Sequence, residues 1–195
     1  MRAFLAIDLP EPVIAALARI GDGIGAGLAT ARPSAPETLH VTLAFLGDQP
    51  EAALQALHEE LERICVPPFS LKFNGLGAFG GDRPRLLFAD VVPSAALKAL
   101  HGDVLRALRR AGLAVPKDRF HPHVTLARLK GAGPREAAAV QEIIARFGAL
   151  PIPDAPVTGF GLYRSTLHPK GARHDLLETY GAPVWPDLDG PPYGD

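Results

Sequence analysis

The tetrapeptide His40-Val41-Thr42-Leu43 recurs unchanged as His123-Val124-Thr125-Leu126, 83 positions later (123 − 40 = 83). Its β-branched and apolar residues suit an extended strand, whose side chains alternate between two faces. His40 and Thr42 then share one face, as do His123 and Thr125, while Val41, Leu43, Val124 and Leu126 point into a core. Histidine is the side chain whose ordinary pKa lies closest to neutrality, so one of a facing pair can be neutral while the other is protonated. Such a pair can push and pull protons at a single reacting centre without a metal. The threonine hydroxyls beside them can donate to the non-bridging oxygens of a phosphate.

The same offset relates the flanking sequence. Pro10 maps to Pro93, Ile14 to Leu97 and Leu17 to Leu100, and Leu57, Leu61 and Ile64 map to Val140, Ile144 and Phe147. Positions 54, 57, 61 and 64, and their counterparts, carry the 3–4–3 spacing of an amphipathic helix. Each half reads as strand, Pro-started helix, loop, His-Thr strand, Gly-containing turn and helix. We therefore expect one catalytic domain over residues 1–195, built from two pseudo-symmetric lobes that follow the repeat at about 1–83 and 84–166. Equivalent strands would face each other across a pseudo-twofold axis. The Pro- and Gly-rich end, 181–195, is expected to run extended or loosely ordered.

Composition narrows the class. With 195 residues, 47% apolar and 21% charged, the chain has the make-up of an ordinary globular protein able to bury a substantial core. It has no apolar run of the roughly 18 residues that a membrane helix needs. The apolar stretch after Arg2 reaches Asp8 too soon for a secretory signal and reads as a first strand. A single cysteine, Cys65, is compatible with the cytoplasm; placed at the end of a helical stripe, it reads as a buried small hydrophobe. A net charge of −1 argues against non-specific duplex binding over the whole surface. Basic residues nevertheless gather around the second motif, among them Arg106, Arg109, Arg110, Arg119, Arg128 and Lys130.

The remaining elements are read from periodicity and punctuation. A helix from Glu11 dissolves into Gly21, Gly23, Gly25 and Gly27; a second runs from Glu51 to Cys65; a third has Ser94 as N-cap and Gly112 just past its end. Strands are expected near 69–73, 86–91, 157–163 and 174–180. Gly75-Leu76-Gly77-Ala78-Phe79-Gly80 spells a dinucleotide fingerprint, but no helix follows, so its glycines mark a turn instead. Antiparallel strands without strict alternation of strand and helix indicate an α+β fold.

Other residues divide between chemistry and structure. Arg128, five positions after His123, could clamp a phosphate bidentately, and the first half has Phe45 at that place. An odd offset points Arg128 away from the histidine unless a bulge intervenes. His121-Pro122-His123 lacks the cysteine or carboxylate company of a metal site, and no serine sits in a nucleophile elbow. His58 and His101 read as surface residues. The polar stretch from Tyr163 to His174 is either a solvated hairpin loop or a cleft wall with Tyr163 available for stacking.

These motifs resemble the paired His-x-Thr-x signatures of the 2H phosphoesterase superfamily. Within it, the chain is similar to the bacterial and archaeal RNA 2′,3′-cyclic phosphodiesterases, historically called 2′-5′ RNA ligases. The likeness spans the opening 2–10, the stretch 39–47, Phe120-His121-Pro122-His123-Val124-Thr125-Leu126-Ala127-Arg128, and Arg164-Ser165-Thr166-Leu167 with Pro169 and Gly171. His174 departs from it, standing where an aromatic such as Tyr would be expected. The resemblance implies a bilobal α+β fold with a cleft between lobes, no cofactor and no metal. It implies that a terminal 2′,3′-cyclic phosphate of RNA is opened to a 2′-phosphate, His40 donating a proton and His123 accepting one, with Thr42 and Thr125 holding the phosphoryl oxygens; Arg128 is the further substrate-binding candidate from its own chemistry. The expected partner is such an RNA or oligonucleotide end, and the expected state a cytoplasmic monomer. Two alternatives stand beside it: 2′-5′ ligation or cleavage by the same groups, and a non-catalytic module that binds RNA ends.

Overall fold

In the computed structural model, which describes residues 1–116, 119–130, 134–168 and 171–181, the repeat reappears as two series of elements. The first is strand β1 (Arg2–Asp8), helix α1 (Glu11–Gly27), the short β2 (Ala31–Pro33), β3 (His40–Asp48) and helix α2 (Glu51–Leu61). After β4 (Phe69–Leu71) and β5 (Phe73–Phe79) come β6 (Leu86–Val91), α3 (Ala95–Arg110), β7 (His123–Leu129) and α4 (Pro134–Phe147). Strands β8 (Ala155–Val157), β9 (Phe160–His168) and β10 (Gly171–Tyr180) complete the chain's described elements.

The main sheet is antiparallel, in the order β10-β9-β1-β3-β7-β6-β5, with β2 also against β7; β4 and β8 form a separate ribbon. The order is palindromic about its centre: β3, β1 and β9 on one side answer to β7, β6 and β5 on the other. The fold is thus α+β and bilobal, with a pseudo-twofold axis between Val41 and Val124, the ladder pair that joins β3 to β7. The apolar face of the sheet, with Val41, Leu43, Val124 and Leu126, packs with Leu17 and Ile20 of α1, Leu57 and Leu61 of α2, Leu97 and Val104 of α3, and Val140 of α4. Each such side chain contributes about 1.5–3 kcal/mol on burial. The helices cross over: α1 packs on β2 and β7, and α3 packs on β3 and α2.

Several local expectations need correction. Helix α1 does not dissolve at its glycines; it continues through them to Gly27. A Cβ on Gly23 would sit 2.7 Å from the Phe147 ring, and one on Gly25 would sit 2.8 Å from Pro33. Those glycines admit close neighbours. Likewise Gly77 lies inside β5 because the Phe88 ring covers it, 2.5 Å from where a Cβ would be, and the turn is made by Gly80 and Gly81 at φ +117° and +56°. Helix α2 stops at Leu61, so Cys65 falls on an extended link between buried Ile64 and Val66, and alternation turns it outward: it is exposed. His58 and His101 are half-buried, His58 bonded to the Tyr180 hydroxyl at 3.0 Å and His101 stacked on Phe120. The 163–174 stretch is paired strand up to His168 and from Gly171, with no long loop. Ser94 does cap α3, its Oγ accepting from the Leu97 N–H at 3.2 Å, and Gly112 follows at φ +73°. The tail beyond residue 181 and the 131–133 turn lie outside the described residues.

Candidate active site

The pairing of Val41 with Val124 fixes the register of the two motifs (41 + 124 = 165). It sets His40 across from Thr125 and Thr42 across from His123, since 40 + 125 and 42 + 123 give the same sum. Residues flanking a ladder pair point to the opposite face from it, so all four project together from the face that carries no helix. Burial agrees: both valines are fully buried, while both histidines and both threonines are partly open. The two imidazoles sense one another, each proton on His123 disfavouring one on His40.

Arg128 joins them through a bulge. Along β6–β7 the register steps from Leu87 opposite Ala127 to Phe88 opposite Thr125, leaving Leu126 unmatched. Leu126 and Ala127 both stay buried, and the extra residue swings Arg128 onto the histidine face, exposed and close enough to act on the charge of His123. The first half repeats the device: Leu5 faces Ala44 and Ala6 faces Thr42, skipping Leu43. Phe45, the counterpart of Arg128, is thereby brought beside Phe4 and left 64% exposed.

A ring of aromatic and acidic residues, not anticipated from the motifs, supports each histidine. Asp8 lies across from His40, and Asp90 across from His123. Asp8 accepts a hydrogen bond from the Tyr163 hydroxyl; Asp90 holds Nε2 of His121 at 2.8 Å. On one side Phe4 stacks with His40 (centroids 4.9 Å apart) and with Tyr163 (5.2 Å), and His174 meets Phe4 and His40 edge-on. On the other, Phe79 and Phe88 lie 5.1 and 5.3 Å from His123. The signal that could have found the aspartates is their position near the ends of β1 and β6, 82 residues apart (90 − 8 = 82), one short of the repeat offset.

Each catalytic candidate is oriented by the backbone two residues before it. Nδ1 of His123 is 2.7 Å from the His121 carbonyl, an acceptor, so this nitrogen carries the proton and Nε2 of the neutral ring keeps its lone pair. His40 is hydrogen-bonded to the Thr38 backbone, and its Nε2 lies 3.1 Å from the Thr42 hydroxyl. Burial, then the neighbouring His174 and His123, push the His40 pKa down to about 4 against the pull of Thr38. Burial also lowers His123; Arg128 adds to that and Asp90 opposes it. His174 is lowered by burial, and Tyr163 is raised by burial and its bond to Asp8. Among the described residues no group of His, Cys, Asp and Glu is arranged to hold a metal ion.

Known proteins are similar to this chain in sequence and fold. Residues 10–169 match the family model of the 2′-5′ RNA ligase superfamily. An RNA 2′,3′-cyclic phosphodiesterase of Thermus thermophilus is 35% identical over 189 residues, covering 92% of this chain and 89% of that protein. Its namesake from Archaeoglobus fulgidus is 31% identical, covering 92% and 99%. Among solved structures, one from Thermus thermophilus superposes with a TM-score of 0.75 at 29% identity, covering 93% of this chain and 98% of that one. Escherichia coli LigT complexed with 3′-AMP gives 0.69 at 28%, covering 92% and 96%. With both His-x-Thr motifs inside the matched region, the chain belongs to the 2′-5′ RNA ligase superfamily.

Proposed function

We propose that this protein is an RNA 2′,3′-cyclic phosphodiesterase that opens a terminal cyclic phosphate to a 2′-phosphate. The observation that supports the reading is the Val41–Val124 register, which brings the two His-x-Thr pairs side by side on one face of the sheet. Relatives bearing that name match over most of their length.

The chemistry follows from the groups. Arg128 and the hydroxyls of Thr42 and Thr125 hold the non-bridging oxygens. Burial and Arg128 keep His123 neutral, so its Nε2 takes the proton of a water as the water oxygen attacks phosphorus. The P–O3′ bond breaks, and the departing oxygen takes a proton from Nε2 of His40, giving a 3′-hydroxyl and a 2′-phosphate. His40 rests neutral at pH 7 because of its low pKa. The anion's negative charge raises that pKa, so His40 takes up its proton as substrate binds. Proton exchange with solvent then returns His123 and His40 to their starting states. Acid and base catalysis contribute on the order of 10²–10⁴-fold each.

We envisage a monomer as the working unit, since His40, Thr42, His123, Thr125 and Arg128 lie on two adjoining strands, β3 and β7. No described helix is long and apolar enough to cross a membrane, and cytoplasmic RNA ends are the substrate we envisage. The decisive assay incubates the protein with a 2′,3′-cyclic nucleotide, with and without EDTA, and identifies the product isomer. A 2′-phosphate formed equally in both supports the reading; a 3′-phosphate, loss of turnover in EDTA, or full activity in His40→Ala overturns it. Because the superfamily is described as a ligase one, a 5′-hydroxyl RNA acceptor is added in parallel, and joined product would favour ligation.

A further inference from the structure

The short strand β2 sets a second guanidinium beside Arg128. Arg32 is the direct ladder partner of Arg128, flanked by Ala31 opposite Leu129 and Pro33 opposite Ala127. Such partners project from one face of a sheet, with Cβ atoms about 5 Å apart. Pro33 agrees from the other side: it packs on α1, its Cβ and Cγ lying 3.9 and 2.8 Å from where Cβ atoms on Gly21 and Gly25 would be. Alternation then turns Arg32 to the histidine face, where it is exposed. On its other side Arg128 meets Leu86 of β6, which brings no countercharge. Among the described residues no carboxylate lies within ion-pair distance of either guanidinium. Like charges placed directly opposite each other weaken a sheet, and an anion between them relieves the repulsion. The other half has no such couple: the positions answering to Arg32 and Arg128 are Val115 (32 + 83 = 115) and Phe45 (128 − 83 = 45).

We propose that Arg32 closes with Arg128 as a clamp on a doubly charged phosphoryl group, so that the site holds a 2′-phosphomonoester more tightly than a singly charged phosphodiester. The inference rests on the proposed hydrolase reading to make that monoester the product. Ring opening creates the second charge: water supplies the new P–OH, the 3′ oxygen leaves as a hydroxyl, and the monoester, with a second pKa of about 6, loses a further proton at neutral pH. One guanidinium answers the charge of the diester, and the other answers the charge that hydrolysis adds. The product therefore competes with fresh substrate. Inorganic phosphate, similarly charged, occupies the same clamp.

The test measures binding by calorimetry at about pH 7.5, with adenosine 2′-monophosphate, its singly charged methyl phosphodiester and inorganic phosphate as probes. Wild type is expected to prefer the monophosphate to the methyl diester about tenfold. Arg32→Gln is expected to weaken the monophosphate and inorganic phosphate about tenfold but the diester about threefold or less, and Arg32→Lys to keep part of the preference. In turnover, Arg32→Gln is expected to raise the inhibition constant of the monophosphate more than the KM of a cyclic nucleotide. Arg19→Gln, exposed on helix α1 behind the sheet, removes the same charge and is expected to leave all three affinities unchanged. Undiminished monophosphate binding in Arg32→Gln, or an equal loss for the diester, overturns the clamp. Wild type that binds the monophosphate but opens no cyclic phosphate defeats the hydrolase reading instead, and the binding comparison still decides the clamp.

Discussion

Phe45 and Arg128 occupy the same place in the two halves, each swung onto the histidine face by a bulge at the leucine that ends its tetrapeptide. Identical motifs thus deliver unlike groups: an exposed aromatic on one side of the site, a guanidinium on the other. The asymmetry suits a substrate with one phosphate. Arg128→Ala is expected to lower kcat/KM roughly 10- to 100-fold, the loss of a charge-assisted bond of about 1.5–3 kcal/mol, with Arg128→Lys recovering part. Steady-state kinetics on a cyclic nucleotide check it.

His40 links stability to pH. A histidine whose folded pKa lies below its unfolded value favours the native state while neutral. That contribution is full above about pH 6.5 and is lost as pH falls toward about 4. The gap (6.5 − 4 = 2.5) corresponds to about 3 kcal/mol at most. Urea unfolding at pH 7.5 and pH 4.5 is expected to show a smaller drop in His40→Gln than in wild type. His123, His101 and His174, lowered in the same direction, contribute to the drop that remains.

Asp90 raises His123 through its charge and anchors His121, whose carbonyl holds the His123 ring. Asp90→Asn is expected to move the acid limb of the kcat/KM profile to lower pH and to reduce kcat severalfold, through a looser His123. A pH profile with unchanged limbs would show Asp90 to be only structural.

In helix α1, Gly23→Ala gains helix propensity of about 1 kcal/mol but drives a methyl into the Phe147 ring. Net destabilisation of about 1–2 kcal/mol is expected in denaturant melts, relieved by pairing the change with Phe147→Leu.

The repeat made much of this legible beforehand. The strand period and the 83-residue offset were enough to expect the paired His-Thr faces and the flanking helices. The placement of Arg128 was not, because a bulge depends on how Leu126 fits its partner strand, and periodicity carries no record of that. Gly23 and Gly77 misled for a related reason: glycine reads locally as a breaker, yet here it answers to distant rings, Phe147 and Phe88. Phe4, Asp8, Phe88 and Asp90 sit in ordinary strand sequence, and only pairing with β3 and β7 brings them to the histidines.

The single Val41–Val124 bridge is a slender seam for holding two imidazoles at a set separation. The exchanged helices act as straps across it, since α1 is anchored under β7 and α3 under β3. Severing the chain near residue 83 would leave each fragment with a helix whose greasy side belongs to the other piece. The two pieces would have to reassociate before either could be whole, and the gap that grips the phosphorus would exist only once both straps were tied.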